Sequence, residues 1–91
     1  IHKGTIETAY TIMNGEFEVI EAEIIETSEL INKELKNSNL PDEIRIGAIL
    51  RDQKVIIPRS NFVFEKDDTV VFLAKKDSIS VVENIFRISS I

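Results

Sequence analysis

Apolar and polar positions divide residues 44–74 into three short apolar runs separated by two polar turns. The first run alternates with the period of two that is typical of a strand with one buried face. This alternation assigns one side to Ile44, Ile46, Ala48 and Leu50 and the other side to Arg45, Gly47, Ile49 and Arg51. The polar residues 52–54 predict a tight hairpin, and the unbroken apolar run 69–74 predicts a central strand covered on both faces. The stretch as a whole predicts a compact antiparallel meander.

The second run, residues 55–57, predicts an edge strand. Pro58 follows this run, and proline has no N–H to donate to a neighbouring strand, so the strand ends there or lies at the rim of the sheet. An apolar open edge is a template for pairing with another chain. We therefore predict a contact between two copies of the chain, formed by Val55, Ile56, Ile57 and Pro58.

The flanking segments complete a small α+β domain. Residues 16–25 alternate as a strand with a solvated acidic face. Thr27 or Ser28 predicts the start of a short helix of about two turns, and residues 79–86 predict a closing helix with Val82 and Phe86 on its apolar stripe. The element order is therefore βαβββα over residues 16–91, and residues 1–15 are predicted to be a linker from an upstream domain.

Composition excludes several classes of protein. A chain of 91 residues with 43% hydrophobic content makes one small domain. The formal net charge of −5, with basic residues scattered among carboxylates, argues against a nucleic-acid partner. No apolar run approaches the ~20 residues that span a bilayer, and the N-terminus lacks the plan of a signal peptide. Together with the absence of cysteine, these features predict a soluble, intracellular domain.

The sequence offers little material for catalysis. It has no cysteine and a single histidine, His2, so neither a thiolate metal site nor a nucleophile with an adjacent base is readily built. The adjacent Asp67 and Asp68 predict a turn before a strand rather than a pair of catalytic carboxylates. The three glycines are isolated, so there is no phosphate-binding loop. We therefore predict no catalytic or metal-binding residues and no cofactor site in this chain.

Arg51 is the candidate for ligand recognition. It ends the first meander strand, and a tight hairpin would place it beside Ile56, Ile57 and Pro58. A guanidinium next to an aliphatic surface suits a flat ligand with an anionic group. In the alternative interpretation, Arg51 is a solvated strand end and the apolar residues belong to a subunit interface alone. The residues themselves leave both interpretations open.

Residues 46–86 resemble the TrkA C-terminal domain, also called the C-lobe of regulator-of-potassium-conductance (RCK) proteins. The resemblance rests on Ile46-Gly47-Ala48-Ile49, Val55-Ile56-Ile57-Pro58, Glu65 with Asp67-Asp68, and Val82-Glu83-Asn84-Ile85-Phe86. The closing helix is most similar to the second C-lobe of the peripheral subunit of bacterial Trk systems. The resemblance implies a curled, mostly antiparallel sheet with two short helices.

The same resemblance implies a function. Such lobes are regulatory, ligand-sensing and dimerising parts of cytoplasmic subunits that lie at the inner face of the membrane and control a potassium-translocating membrane subunit. NAD or NADH, or ATP or ADP, is expected only in a Rossmann half that this sequence lacks. Alternative hosts for the lobe are another transporter or antiporter, or a transcription regulator with a DNA-binding domain. A small enzyme is a further alternative, for which the chain offers only dispersed carboxylates.

Some C-lobes of this family bind cyclic di-AMP between two copies, on a strand with an isoleucine-proline pair and with an arginine nearby. Ile57-Pro58 and Arg51 match that pattern. Ile56 departs from it, because these members have a polar residue at that position. The resemblance therefore implies a cyclic dinucleotide as the candidate ligand of Arg51, Ile56, Ile57 and Pro58.

Overall fold

Five strands form one open antiparallel sheet in the order β1-β2-β5-β3-β4 in the computed structural model, which describes residues 6–86. The strands are β1 (Ile6–Ile12), β2 (Phe17–Glu23), β3 (Ile44–Arg51), β4 (Lys54–Ile56) and β5 (Thr69–Lys75). The α-helix of the described part is α1 (Ile79–Phe86), and short 3-10 turns occupy Leu35–Asn37 and Lys76–Ser78. The predicted α+β class with an antiparallel sheet is confirmed.

The hydrophobic core lies on one face of the sheet, here called the inner face. Alternate residues of β2 and β5 point into it, and Ile20, Phe72 and Ala74 are at most 1% exposed. Helix α1 covers this face with Val82 and Phe86, as its apolar stripe predicts. The rings of Phe72 and Phe86 are stacked, with centroids 5.4 Å apart. The closing helix is therefore fixed to the centre of the sheet by aromatic packing.

Strand β5 is the central strand, as predicted, because it pairs with both β2 and β3. Its two faces nevertheless differ. Val70, Phe72 and Ala74 are buried, whereas Val71 and Leu73 on the opposite face are only half-buried. The prediction that both faces are covered is wrong for the described part of the chain, since the helix and the long loops all pack on the inner face.

A bulge at Gly47 reverses the face assignment in the second half of β3. The register with β5 shifts between Ile46 and Ala48, so that one extra residue lies on β3. Beyond the bulge, Ile49 is fully buried and Leu50 is 38% exposed, the opposite of what strict alternation predicts. Ile44 and Ile46 keep the predicted face. Because Arg51 is two residues from Ile49, the bulge also brings Arg51 to the inner side.

The helix predicted after Ser28 does not form. The Ser28 hydroxyl accepts a bond from the Leu30 N–H at 3.2 Å, as a capping residue does, and donates one to the Ile85 carbonyl at 3.1 Å. The following residues do not continue as a helix, because Asn32 adopts a left-handed conformation with φ 64°. Its N–H bonds to the Phe64 carbonyl at 2.9 Å rather than to the preceding turn. Tertiary hydrogen bonds thus replace helical ones.

Part of the predicted linker belongs to the sheet. Of residues 1–15, Ile6–Ile12 form β1, which pairs with β2 and buries Ile6 in the core. Residues 1–5 and 87–91 lie outside the described residues. The connection to an upstream domain stays a prediction.

Candidate functional site

Strand β4 lies at one rim of the sheet, as the sequence predicts. It pairs with β3 only, through Leu50 opposite Val55 and Ile49 opposite Ile56, and no second strand within residues 6–86 flanks it. We call Val55, Ile56, Ile57 and Pro58 the β4 edge. Its four residues differ in exposure: Val55 is 69% and Ile57 72% exposed, while Ile56 and Pro58 are half-buried. The edge therefore presents two large aliphatic side chains and unpaired backbone groups.

A two-residue turn sets the position of this edge. Asp52 and Gln53 both have positive φ, of 52° and 64°, and Arg51 lies opposite Lys54. These dihedrals match a type I′ hairpin, whose twist suits the flanking strands. The predicted tight hairpin is confirmed, and it holds β4 in one register against β3.

Arg51 is occupied by intramolecular contacts. Its Nε and Nη2 atoms donate to the two carboxylate oxygens of Asp68, each at 2.7 Å. Nη2 also donates to the Val63 carbonyl at 2.9 Å, and Nη1 lies 3.2 Å from Glu65 Oε2. The guanidinium carbon lies 4.7 Å from the centre of the Phe62 ring. One side chain thus joins β3, the segment 62–65 and Asp68, the residue before β5.

The burial of Asp68 explains why this arrangement is needed. Asp68 is 1% exposed, and a carboxylate taken out of water requires a cation and hydrogen bonds. Arg51 supplies the charge, and the Glu65 N–H donates a further bond to Oδ2 at 2.9 Å. The hydrogen bond with Asp68 raises the pKa of Arg51 above its ordinary value, and the charges of Asp68 and Glu65 act in the same direction against desolvation.

This geometry bears on the predicted ligand role of Arg51. The Nε and Nη2 side of the guanidinium is taken by Asp68, so an incoming phosphate could reach only Nη1, which Glu65 already contacts. The strand register also separates Arg51 from Ile57, because Lys54 stands opposite Arg51 and Ile57 lies three residues further along, roughly 10 Å away. The structure brings the four β4-edge residues together, but it does not place Arg51 beside Ile57 and Pro58.

Sequence reasoning assigned Asp68 to a turn, and that turn is present, with the Asp68 N–H bonded to the Glu65 carbonyl at 3.2 Å. It missed that Asp68 is also the buried partner of Arg51. The only sequence signal for this burial was that Asp68 directly precedes the apolar run 69–74, where the chain enters the core.

Other kinds of site find no support in residues 6–86. No group of three or more acidic or histidine side chains is arranged to hold a metal ion. None of the helices formed by these residues has the length and apolar character needed to cross a membrane.

Comparison with known proteins adds three observations. A family model described as the TrkA-C domain matches residues 19–87. The Trk system potassium uptake protein TrkA of Azorhizobium caulinodans is 37% identical over 89 residues, which are 98% of this chain and 19% of that protein. The Haemophilus influenzae TrkA is 31% identical over 94 residues, covering 99% of this chain and 20% of that protein. The chain thus spans about a fifth of the length of these relatives.

One solved structure is similar in fold and in sequence. It is the RCK_C domain dimer of Streptococcus agalactiae BusR in complex with c-di-AMP, with a TM-score of 0.68 and 25% identity. The match covers 80% of this chain and 94% of the BusR chain.

Proposed function

The chain belongs to the TrkA-C domain family, and from this premise we propose that it is a ligand-sensing, dimerising module of a subunit that controls potassium uptake. Its relatives are potassium uptake proteins, and the module would act by binding rather than by catalysis. In this proposal the full-length assembly lies in the cytoplasm, against a potassium-translocating membrane subunit, and transmits the state of the lobe to it.

The β4 edge carries the dimer part of the proposal. Its exposed Val55 and Ile57 flank unpaired backbone groups, and the described residues provide no strand to cover them. A second β4 strand, related by a two-fold axis, would satisfy these groups and extend the sheet across both copies. The BusR lobe, which is similar in fold, is a dimer, and this supports self-association as the mode of action.

The ligand part of the proposal is a cyclic dinucleotide bound at the interface. The apolar side chains of Ile57 and Pro58 can pack against a base, and the BusR dimer was solved with c-di-AMP. Arg51 could offer a phosphate only its Nη1 atom, after displacement of the exposed Glu65. A ligand that contacts both copies favours one arrangement of the dimer over others, which is the physical requirement for regulation.

Cysteine cross-linking tests the dimer contact cleanly, because the chain has no native cysteine. Val55→Cys and Ile57→Cys should each be oxidised alone and as a mixture, since the position of the two-fold axis decides which pair meets within disulfide range. We expect a cross-linked dimer in at least one of these samples. Glu26→Cys, at an exposed turn away from the edge, is the control and should stay monomeric on denaturing gels. Equal cross-linking of the control would remove the proposed contact.

Calorimetric titration with c-di-AMP tests the ligand separately. We expect saturable heat with one ligand per two chains, and loss of that heat in Ile57→Asp. A folded, dimeric wild-type chain that gives no heat at high micromolar ligand would exclude this ligand and leave the dimer proposal intact.

A further inference from the structure

An apolar stripe crosses the outer face of the sheet, opposite the core. It consists of the side chains that alternate with the buried ones: Tyr10, Ile12, Phe17, Val19, Ala48, Leu50, Val55, Val71 and Leu73. Four of them are large and exposed: Tyr10 and Val55 are 67% and 69% exposed, and Ile12 and Leu50 are 38% exposed. No element among residues 6–86 covers this face. Contiguous apolar surface of this kind marks an interaction site.

The strand register makes the stripe continuous. Tyr10 stands opposite Val19, and Val19 stands opposite Leu73. Further along, Val71 stands opposite Ala48, and Leu50 stands opposite Val55. The stripe therefore runs diagonally over all five strands, from β1 to β4. Its far end at Val55 adjoins the β4 edge.

Opposite charges flank the stripe on its two sides. On one side, Arg45 stands opposite Leu73 and Lys75 opposite Phe17, and we call this pair the cationic flank. On the other side, Glu21 stands opposite Val71 and Glu23 opposite Thr69, and we call this pair the anionic flank. Both flanks lie near the middle of the stripe, because they adjoin the central strands.

These charges have no partners within the described part of the chain. Neither Arg45 nor Lys75 makes an ion pair there, and Glu21 accepts no side-chain hydrogen bond. Glu23 Oε1 is itself buried by the described residues and also lacks a hydrogen-bond partner there. Arg45 and Lys75 line a depression of about 360 Å³ together with Phe17 and Leu73, whose rim includes Asp42 and Glu43. The cations are thus held beside apolar surface but remain unpaired.

We infer that this face packs against the same face of a second copy, about a two-fold axis that runs along the stripe. Such an axis stacks stripe on stripe and carries each cationic flank onto the partner's anionic flank. A two-fold interface requires this kind of self-complementarity, and charge complementarity across it gives specificity. The apolar residues provide the contact area, and the flanks set the alignment.

This contact shares Val55 with the β4 edge but is otherwise separate from it, so a Val55→Cys cross-link alone does not distinguish the two contacts. Edge pairing uses backbone groups and Ile57, whereas face packing uses side chains of the outer face. If the two-fold axes of the two contacts intersect at a right angle, a chain that uses both contacts forms an assembly of four, and a chain that uses only one forms a dimer. Loss of the face contact therefore halves the assembly mass whether or not the edge pairs.

Charge reversal tests the inference. In Arg45→Glu homodimers the introduced glutamates would face Glu21 and Glu23, and in Glu21→Arg homodimers the introduced arginine would face Arg45. Each variant should weaken the face contact at least about tenfold, as seen by sedimentation equilibrium or native mass spectrometry over a range of concentrations. An equimolar mixture of the two variants should restore the wild-type assembly, because every contact in the mixed pair joins opposite charges. The double variant should restore it as well.

The assembly mass of the charge variants either supports or contradicts the face contact, provided that the variants are folded. Circular dichroism should show both single variants to be folded, since the changed side chains are not in the core. If neither variant changes the assembly mass, or if mixing does not restore it, a second copy is not the occupant of this face. Where Ile57→Asp alone halves the assembly mass, its combination with Arg45→Glu should be monomeric, and a dimer in that double variant would also overturn the inference. Arg59→Glu, an exposed charge reversal away from the stripe, is the matched control.

Discussion

Arg51 and Asp68 form a two-pronged ion pair in which both nitrogen–oxygen distances are 2.7 Å. The pair links the last residue of β3 to the residue before β5, so it closes the loop that contains the whole β4 edge. Because Asp68 is 1% exposed and Arg51 24% exposed, the pair lies at the boundary of the core rather than on the surface. Its chief role is therefore to hold the edge hairpin and the segment 62–65 together.

Asp68→Ala should destabilise the fold strongly. It leaves the guanidinium of Arg51 partly buried without its main partner and removes the acceptor of the Glu65 N–H. Breaking one side of a buried pair costs about 3–5 kcal/mol. The free energy of unfolding in urea measures this. Glu65 is the other acid that contacts Arg51, and its side chain is 58% exposed. Glu65→Ala should therefore lower the free energy of unfolding by less than about 1 kcal/mol. Equal losses in the two variants would contradict the burial argument.

Arg51→Lys separates a structural role from a ligand role. Lysine keeps the charge but cannot bridge both Asp68 oxygens and the Val63 carbonyl, so we expect a loss of roughly 1–3 kcal/mol in unfolding free energy. A residue that served only as a phosphate clamp would lose ligand affinity at unchanged stability.

Because the pKa of Arg51 is raised, its charge contributes fully below the ordinary arginine pKa and is lost only as pH rises above it. The stability difference attributable to the Arg51 charge should therefore stay constant from neutral to moderately alkaline pH.

The sequence was sufficient for the elements whose cause is local. Alternation identified β2 and β3, and the unbroken apolar run 69–74 identified β5. Pro58 identified the edge, and the stripe of Val82 and Phe86 identified the closing helix. The face of the sheet to which the second half of β3 points could not be predicted. It depends on the bulge at Gly47, which is a register shift relative to β5 and is not visible in the apolar pattern of β3 alone.

The site was harder to predict than the fold for a related reason. Asp68 and Arg51 are 17 residues apart, and their pairing depends on the bulge that turns Arg51 inward. Ser28 gave a correct signal for the start of a turn, but hydrogen bonds to Ile85 and Phe64 then replaced a helix. In both cases the local structure depends on residues that are distant in sequence, and a single sequence does not show which distant residues come into contact.

Asn32 provides a test of the segment that replaces the predicted helix. Its φ of 64° is adopted readily by glycine and asparagine but costs most other residues free energy. Asn32→Ala should therefore cost about 1–2 kcal/mol of unfolding free energy, while Asn32→Gly should be close to neutral. Thermal or urea unfolding gives both values. If the segment were the helix that its apolar spacing predicts, alanine would stabilise it and glycine would destabilise it. The order of the two variants thus distinguishes the structures.

Ile57 tests the β4 edge without touching the core. Ile57→Asp places a charge on a position that is 72% exposed, so the fold and its unfolding free energy should stay within about 0.5 kcal/mol of wild type. In a paired edge the same carboxylate would be buried without a partner, and sedimentation should show the assembly mass halved. Ser60→Asp adds an identical charge to an exposed turn nearby and should leave the mass unchanged. An Ile57→Asp chain that keeps the wild-type mass would mean that the edge faces solvent and that copies meet elsewhere.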